Sequence, residues 1–203
     1  MKLIQLLLIA IMASGLAAGA AAKPAFTTKY VYYPVGGKTP QDIYRAMLNK
    51  GPRVNGAKAY AATSAVSSQD GKLTQAGTCQ IKDYRLNIDF EIKLPKITNE
   101  KVLAPLDRRR WQQFSRFLKL HEETHRAIWL GCAANLERQV HAINVKTCAE
   151  ADARATKLWE VARKSCTKKH DAFDAAEQKK LIRHPFVQLV YRRSQQTHAA
   201  KVQ

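Results

Sequence analysis

Proline and glycine are nearly absent from the C-terminal half of the chain. Between residues 106 and 180 there is no proline, and Gly131 is the only glycine. Because these two residues are the usual breakers of helices, their absence permits helices of unusual length. Polar and β-branched residues cluster at 144–147, which predicts a break between two helices over 107–143 and 149–181. A single continuous helix is the alternative, but its apolar stripe would be unpaired.

Acidic residues are also scarce. The chain has 16 Asp and Glu against 34 Lys and Arg, a formal net charge of +18. Such a surface attracts polyanions such as nucleic acid, anionic lipid or acidic wall polymers. No nucleic-acid recognition motif and no aromatic-rich basic strand accompanies the charge, so we expect no nucleic-acid partner. An anionic envelope polymer is then the candidate polyanionic partner.

Long apolar runs are confined to the N-terminus. Residues 1–22 combine Met1-Lys2, an apolar core and a stretch of small residues ending at Ala22. This pattern predicts a secretory signal peptide cleaved before Lys23, or two residues earlier; an uncleaved anchor is the alternative. No later stretch is long and apolar enough to span a bilayer. We therefore expect a periplasmic or secreted protein without an integral membrane span.

Paired cysteines of the C-x-x-C type are missing, which disfavours a cysteine zinc site. Four cysteines follow the signal region: Cys79, Cys132, Cys148 and Cys166. Since an exported chain meets an oxidising compartment, an even number of cysteines predicts two disulfides. Spacing alone leaves three connectivities open.

The N-terminal half of the mature chain has the alternation of strands. Apolar residues occupy even positions from Leu86 to Leu94, which predicts a long antiparallel strand over 78–94 with a bulge near Lys82-Asp83. The preceding predicted elements are an edge strand over 29–35, a helix from the Thr39 cap to Asn49, a strand over 57–68 and a hairpin turn at Asp70-Gly71.

These elements predict an α+β fold: a small antiparallel sheet with a short helix, packed on a long helical hairpin. The domain is expected to cover residues 23–181. A basic C-terminal segment, 182–203, follows. Its apolar residues near Phe186 are expected to dock on the domain, and its end to fray.

The first long helix carries the pattern H-E-x-x-H at residues 121–125. Positions four apart lie on one helical face, so His121 and His125 can both bind one Zn²⁺ ion. Glu122 beside them can take a proton from a zinc-bound water as general base, chemistry that usually hydrolyses peptide bonds. Tyr84 and Arg126 are candidates in principle for stabilising the oxyanion.

Catalytic zinc usually has three protein ligands, and the sequence leaves the third open. In an antiparallel hairpin turning near residue 146, residues 167–171 lie level with the two histidines, so His170 is the first choice. Asp174, one turn further on, is a rival. Glu150 is a second rival, although it requires the first helix to end soon after His125. The remaining histidines are assigned to the surface or core or to the tail: His141, His184 and His198.

Several motifs appear in the order found in a known bacterial family. The order is Tyr32-Tyr33-Pro34-Val35-Gly36, a Thr-capped helix ending Lys50-Gly51-Pro52, Cys79 before a long strand ending Leu94-Pro95, then Trp111, Leu118, the H-E-x-x-H pattern and Cys148. Over nearly all of the mature chain, this resembles the predicted secreted zinc-dependent proteases that are classed as a domain of unknown function.

The resemblance implies a periplasmic or secreted metallopeptidase with Cys79 paired to Cys148, which leaves Cys132 for Cys166. One departure lies near the C-terminus. Members of the family tend to carry a Tyr-Asp pair followed closely by His-Gly. Here Phe173-Asp174 matches the first pair, but no His-Gly follows.

The sequence therefore predicts an exported zinc metallopeptidase acting on a peptide or protein substrate. A non-catalytic basic envelope protein that binds anionic polymers is the competing hypothesis. Glu122 separates the two, because only the enzyme needs its carboxylate for function.

Overall fold

A computed structural model of the protein describes the backbone of residues 25–199 and the side chains of residues 25–192. The signal-peptide prediction for residues 1–22 therefore lies outside the described residues. The elements are β1 (Ala25–Val35), α1 (Pro40–Lys50), β2 (Arg53–Val54), β3 (Ala57–Lys58), β4 (Ala62–Ala76), β5 (Thr78–Ile97), a 3-10 turn (Glu100–Val102), α2 (Pro105–His141), β6 (Asn144–Val145), α3 (Cys148–Arg183) and α4 (Pro185–Ala199).

The main sheet is built around β5. The antiparallel partner β4 lies on one side of β5, and the parallel partner β1 on the other; β6 adds a short antiparallel pair at Cys79 and Gln80. The α+β fold is confirmed, but the sheet is mixed rather than wholly antiparallel. Alternation within β5 predicts a two-sided strand but does not give the direction of β1, which depends on how the intervening chain returns.

The β4–β5 turn lies at Gly77, not at the predicted Asp70-Gly71. Ala76 pairs with Thr78 across Gly77, which has a φ of +78° that favours glycine. Asp70-Gly71 lies inside β4, where the register shifts. The predicted bulge is confirmed opposite it, since Asp83 has a φ of +54°. Pairing of the first residues of β5 extends β4 past the expected turn.

The long helical hairpin is confirmed, with α2 packed on the sheet and α3 beside α2. Thr147 caps α3 by accepting a hydrogen bond from the Glu150 N–H. Two apolar clusters flank the middle of α2. One surrounds Phe114 with α1 and α4; the other surrounds Leu136 with the first half of β5. The H-E-x-x-H pattern lies between them. No helix in the described part of the chain is both long and apolar enough to cross a membrane.

Two disulfides secure α3. Cys79–Cys148 joins β5 to the first residue of α3. Cys132–Cys166 joins α2 to the middle of α3. Both pairs are those implied by the family resemblance. Disulfides of this kind are typical of proteins that fold in oxidising compartments.

The C-terminal segment docks as predicted, because Phe186, Val187 and Val190 of α4 are buried in the first cluster. His184 is not a tail residue: it lies between α3 and α4, half-buried against Phe114 and Phe117. The Pro185 ring prevents α3 from continuing, so the chain folds back at His184. The side chain of residue 198 and all of residues 200–203 lie outside the described part.

Candidate metal centre

His121 and His125 lie on one face of α2, as their spacing predicts. Their Nε2 atoms are 3.1 Å apart, and their rings are nearly perpendicular. Both side chains are largely buried, with 20% and 14% of their surface exposed. The H-E-x-x-H pattern thus presents two nitrogens to one point in space.

Asp174 of α3 completes the group. Its Oδ1 is 3.3 Å from His121 Nε2 and 2.9 Å from His125 Nε2. In tetrahedral zinc sites with bonds of about 2.0–2.1 Å, ligand atoms lie roughly 3.3 Å from one another. Two imidazoles and a carboxylate are also a donor set that zinc accepts. The three side chains could therefore hold a metal ion.

His170, the first choice for third ligand, does not join this group. Its Nδ1 lies 2.8 Å from Nδ1 of His125, on the ring edge opposite Asp174. Its Nε2 is 3.7 Å from Cys166 Sγ. The predicted hairpin correctly placed this part of α3 level with the two histidines. Residue counting does not, however, give the rotation of α3 about its axis. That rotation sets Asp174 beside both Nε2 atoms and His170 behind His125.

Glu122 faces the sheet rather than solvent and is 4% exposed. Thr63 Oγ1 of β4 lies 2.8 Å from its Oε2 and donates to the carboxylate. Burial raises the pKa of Glu122 to about 7, the Asp174 carboxylate adds to the rise, and the Thr63 hydrogen bond opposes it. A carboxyl group with a pKa near neutrality can both accept and release a proton at physiological pH.

The surroundings of three histidines favour the neutral ring. Burial lowers the pKa of His121, His125 and His170, and the Asp174 carboxylate opposes the shift in each case. The neutral imidazole is the form that binds metals, because a free ring nitrogen carries the lone pair.

An open cleft of about 350 Å³ gives solvent access to this group. His121, Glu122 and Asp174 lie on its wall together with Lys58, Tyr60 and Glu177. A chain segment lying in the cleft would lie against His121, Glu122 and Asp174 at once.

The other predicted site residues lie elsewhere. The Tyr84 hydroxyl donates to Gln69, Arg126 donates to Thr28, and Glu150 pairs with Arg154. His141 is exposed and packs against Tyr84. None of the four lines the cleft, so neither Tyr84 nor Arg126 is placed to stabilise an oxyanion there.

Three residues at the site had no role in the sequence prediction: Tyr60 and Glu177 on the cleft wall, and Thr63, which contacts Glu122. Glu177 follows Asp174 by three residues, so helical periodicity could have found it once Asp174 was known. Thr63 and Tyr60 are 59 or more residues before Glu122 and carry no motif. Only the sheet topology brings β4 against α2.

Comparison with known proteins places the chain in a family. No curated protein and no solved structure matches the chain. A family model described as a bacterial protein of unknown function, DUF922, matches residues 30–181, which include both long helices almost entirely and all four cysteines. Because this match covers well over half of the sequence, the chain belongs to the DUF922 family.

Proposed function

We propose that this protein is an exported zinc-dependent metallopeptidase. One observation carries the proposal: His121, His125 and Asp174 present three ligand atoms separated by 2.9–3.3 Å, and Glu122 lies beside them on the wall of an open cleft. A peptide or protein is the substrate class that fits, since a cleft of this size can admit an extended chain.

Location in the periplasm or outside the cell is part of the proposal. The apolar, signal-like composition of residues 1–22 supports export. Two disulfides, one of them beside the metal centre, support an oxidising compartment.

Bound zinc would polarise the scissile carbonyl and acidify a water molecule. The protein supplies the proton acceptor, because Thr63 donates to Oε2 of Glu122 and leaves Oε1 to take a proton. The same carboxyl, with its pKa near neutrality in the metal-free protein, can pass that proton to the leaving amine. A bound dication would lower this pKa and favour the base form.

His170 positions His125. If His125 carries its proton on Nδ1 and donates to His170 Nδ1, then Nε2 keeps its lone pair for the metal. Partners of this kind fix the tautomer and the orientation of a ligand ring. His170 is therefore assigned to support of the ligand rather than to the metal itself.

Metal content tests the ligand set. We expect about one zinc per chain in the purified mature protein, measured by elemental mass spectrometry. Asp174→Ala, His121→Ala and His125→Ala should each abolish retention, whereas Asp171→Ala, an exposed change on the same helix, should not. His170→Phe should keep the metal ligands but lower the affinity for zinc by roughly 10- to 100-fold. Absence of zinc in the wild type after zinc addition and washing would exclude the proposal.

Turnover tests the role of Glu122. Glu122→Gln should retain zinc and lose cleavage of an unstructured protein such as casein. Exposed Glu160 gives a matched control, since Glu160→Gln removes the same charge away from the cleft. Cleavage that survives Glu122→Gln would rule out this mechanism.

A non-catalytic basic envelope protein that binds anionic polymers is the second candidate. The net charge of +18 favours it. Under this alternative, Glu122→Gln would leave function unchanged, and binding would weaken steeply with added salt.

A further inference from the structure

A second cleft lies at the corner where α2, α3 and α4 meet. Three arginines from three different helices line it: Arg110, Arg183 and Arg192. Its volume is about 270 Å³, and its remaining wall is formed by Pro185, Gln188 and Leu189. No carboxylate is among these lining residues.

The corner has an excess of positive charge. Asp107 lies beside it, with its Oδ1 3.8 Å from Arg110 Nη1. Within residues 25–192, the three lining guanidinium groups and the Asp107 carboxylate sum to a charge of +2. Arg183 and Arg192 are exposed, and within residues 25–192 neither makes an ion pair closer than 4.0 Å. The two guanidinium groups can therefore turn towards a ligand.

The backbone around the cleft is fixed by packing. Phe186 and Val187 at the start of α4 are buried in the core. Gln188 Nε2 donates to the Ile182 carbonyl at 2.7 Å, and its backbone N–H donates to His184. These contacts hold the ends of α3 and α4 in one arrangement. A ligand would meet a preformed cleft rather than three independent surface side chains.

We propose that this cleft binds a phosphate group, as a phosphate monoester or a pyrophosphate. Guanidinium groups pair with phosphate oxygens through two parallel hydrogen bonds. A phosphate monoester carries nearly two negative charges at neutral pH, which matches the net +2 of the corner. A single carboxylate would balance only half of it. The site lies on residues separate from the metal centre, so it does not depend on peptidase activity.

The test is calorimetric titration of the purified mature protein with inorganic pyrophosphate at fixed ionic strength. Arg183→Gln/Arg192→Gln should weaken binding by about tenfold or more, since two charge-assisted contacts are lost. Lys164→Gln/Lys168→Gln is the matched control, because it removes two charges from exposed positions of α3 outside the cleft. All variants keep the metal ligands, so the difference between the two double variants reports the cleft alone.

Sedimentation with vesicles distinguishes a lipid headgroup from a soluble or polymer-borne phosphate. Binding to phosphatidic acid vesicles, but not to phosphatidylcholine vesicles, with loss in the arginine variant would assign the site to a lipid phosphate. Binding of pyrophosphate without vesicle binding would assign it to the other sources. Equal weakening of binding in both double variants would overturn the proposal. So would a protein that binds neither pyrophosphate nor phosphatidic acid vesicles.

Discussion

The two long helices are nearly equal in length but differ in what holds them. α2 has 37 residues and nine of them are buried, including Trp111, Phe114 and Leu136. α3 has 36 residues and only Ala151 and Cys166 are buried. α2 therefore forms the core with the sheet, and α3 is an outer layer whose position depends on a few specific attachments.

The residues of the candidate metal centre are divided between the same two helices. α2 supplies His121, Glu122 and His125, whose positions follow from core packing. α3 supplies Asp174 and His170, and the nearest covalent attachment is the Cys132–Cys166 disulfide, one turn before His170. Half of the site should thus form whenever the core folds, and the other half should depend on an oxidising environment.

The largest expected effect comes from the core side of α2. Phe114 is fully buried and stacks on Phe186 with ring centroids 5.0 Å apart. Phe114→Ala should lower the free energy of unfolding by about 3–5 kcal/mol, because it removes buried area and leaves a cavity. Chemical denaturation would measure it. The control is Val161→Ala on α3, where the side chain is 56% exposed and the loss should be below about 0.5 kcal/mol. Comparable losses for both changes would remove the distinction between the helices.

The next effect concerns the attachment of α3. Cys132→Ala/Cys166→Ala should lower the free energy of unfolding by about 2–4 kcal/mol, since the bridge closes a 34-residue separation. It should also weaken zinc retention, because Asp174 is less firmly placed. The other disulfide provides the control: Cys79→Ala/Cys148→Ala should cost similar stability but keep zinc. Equal zinc loss in the two variants would show that general destabilisation, not local attachment, matters.

This division also explains what could be predicted from the sequence. The α2 half of the site follows from local spacing, because four residues along a helix fix the relative positions of His121 and His125. The α3 half needs the rotation of one helix against another, and this depends on side-chain packing along the whole contact. Residue counting reached the correct level and chose His170, four residues from Asp174. The contact of Thr63 with Glu122 could be predicted only from the pairing of β4 with β5. Because the sequence predicts the turn of this hairpin at Asp70-Gly71, the pairing is not predicted correctly.

A third effect tests the buried carboxyl of α2. Because burial raises the pKa of Glu122 from 4.5 to about 7, the folded metal-free protein binds a proton that the unfolded chain releases between these values. This group therefore lowers stability progressively as pH rises from 4.5 to 7, and by a constant amount above 7. Glu122→Gln should raise the free energy of unfolding by about 2–3 kcal/mol at pH 8 and by little at pH 4.5.

The quantity to measure is the difference in the free energy of unfolding between the wild type and Glu122→Gln. His121, His125 and His170 also titrate, with pKa values lowered by burial, and they give the opposite slope in both proteins. Urea denaturation after chelation and dialysis, at pH 4.5, 6 and 8, would give the difference. Exposed Glu160 on α3 is the control, and Glu160→Gln should show no such dependence. If Glu122→Gln gained the same stability at all three pH values, the raised pKa of Glu122 would be contradicted.

The smallest effect concerns the contact between the sheet and the general base. Thr63→Val keeps the shape of the side chain but removes the hydroxyl that donates to Glu122 Oε2. Stability should fall by about 1 kcal/mol, and by more at pH 8 than at pH 4.5, because a hydrogen bond to an ionised carboxylate is the stronger one. Ser64→Ala, the exposed neighbour on β4, should change little. A loss for Thr63→Val that does not depend on pH would mean that the hydroxyl supports the backbone carbonyl of Glu122, 3.0 Å away, rather than its carboxylate. The sheet would then orient α2 as a whole, and the Thr63 hydroxyl would not oppose the rise in the Glu122 pKa that burial and the Asp174 carboxylate cause.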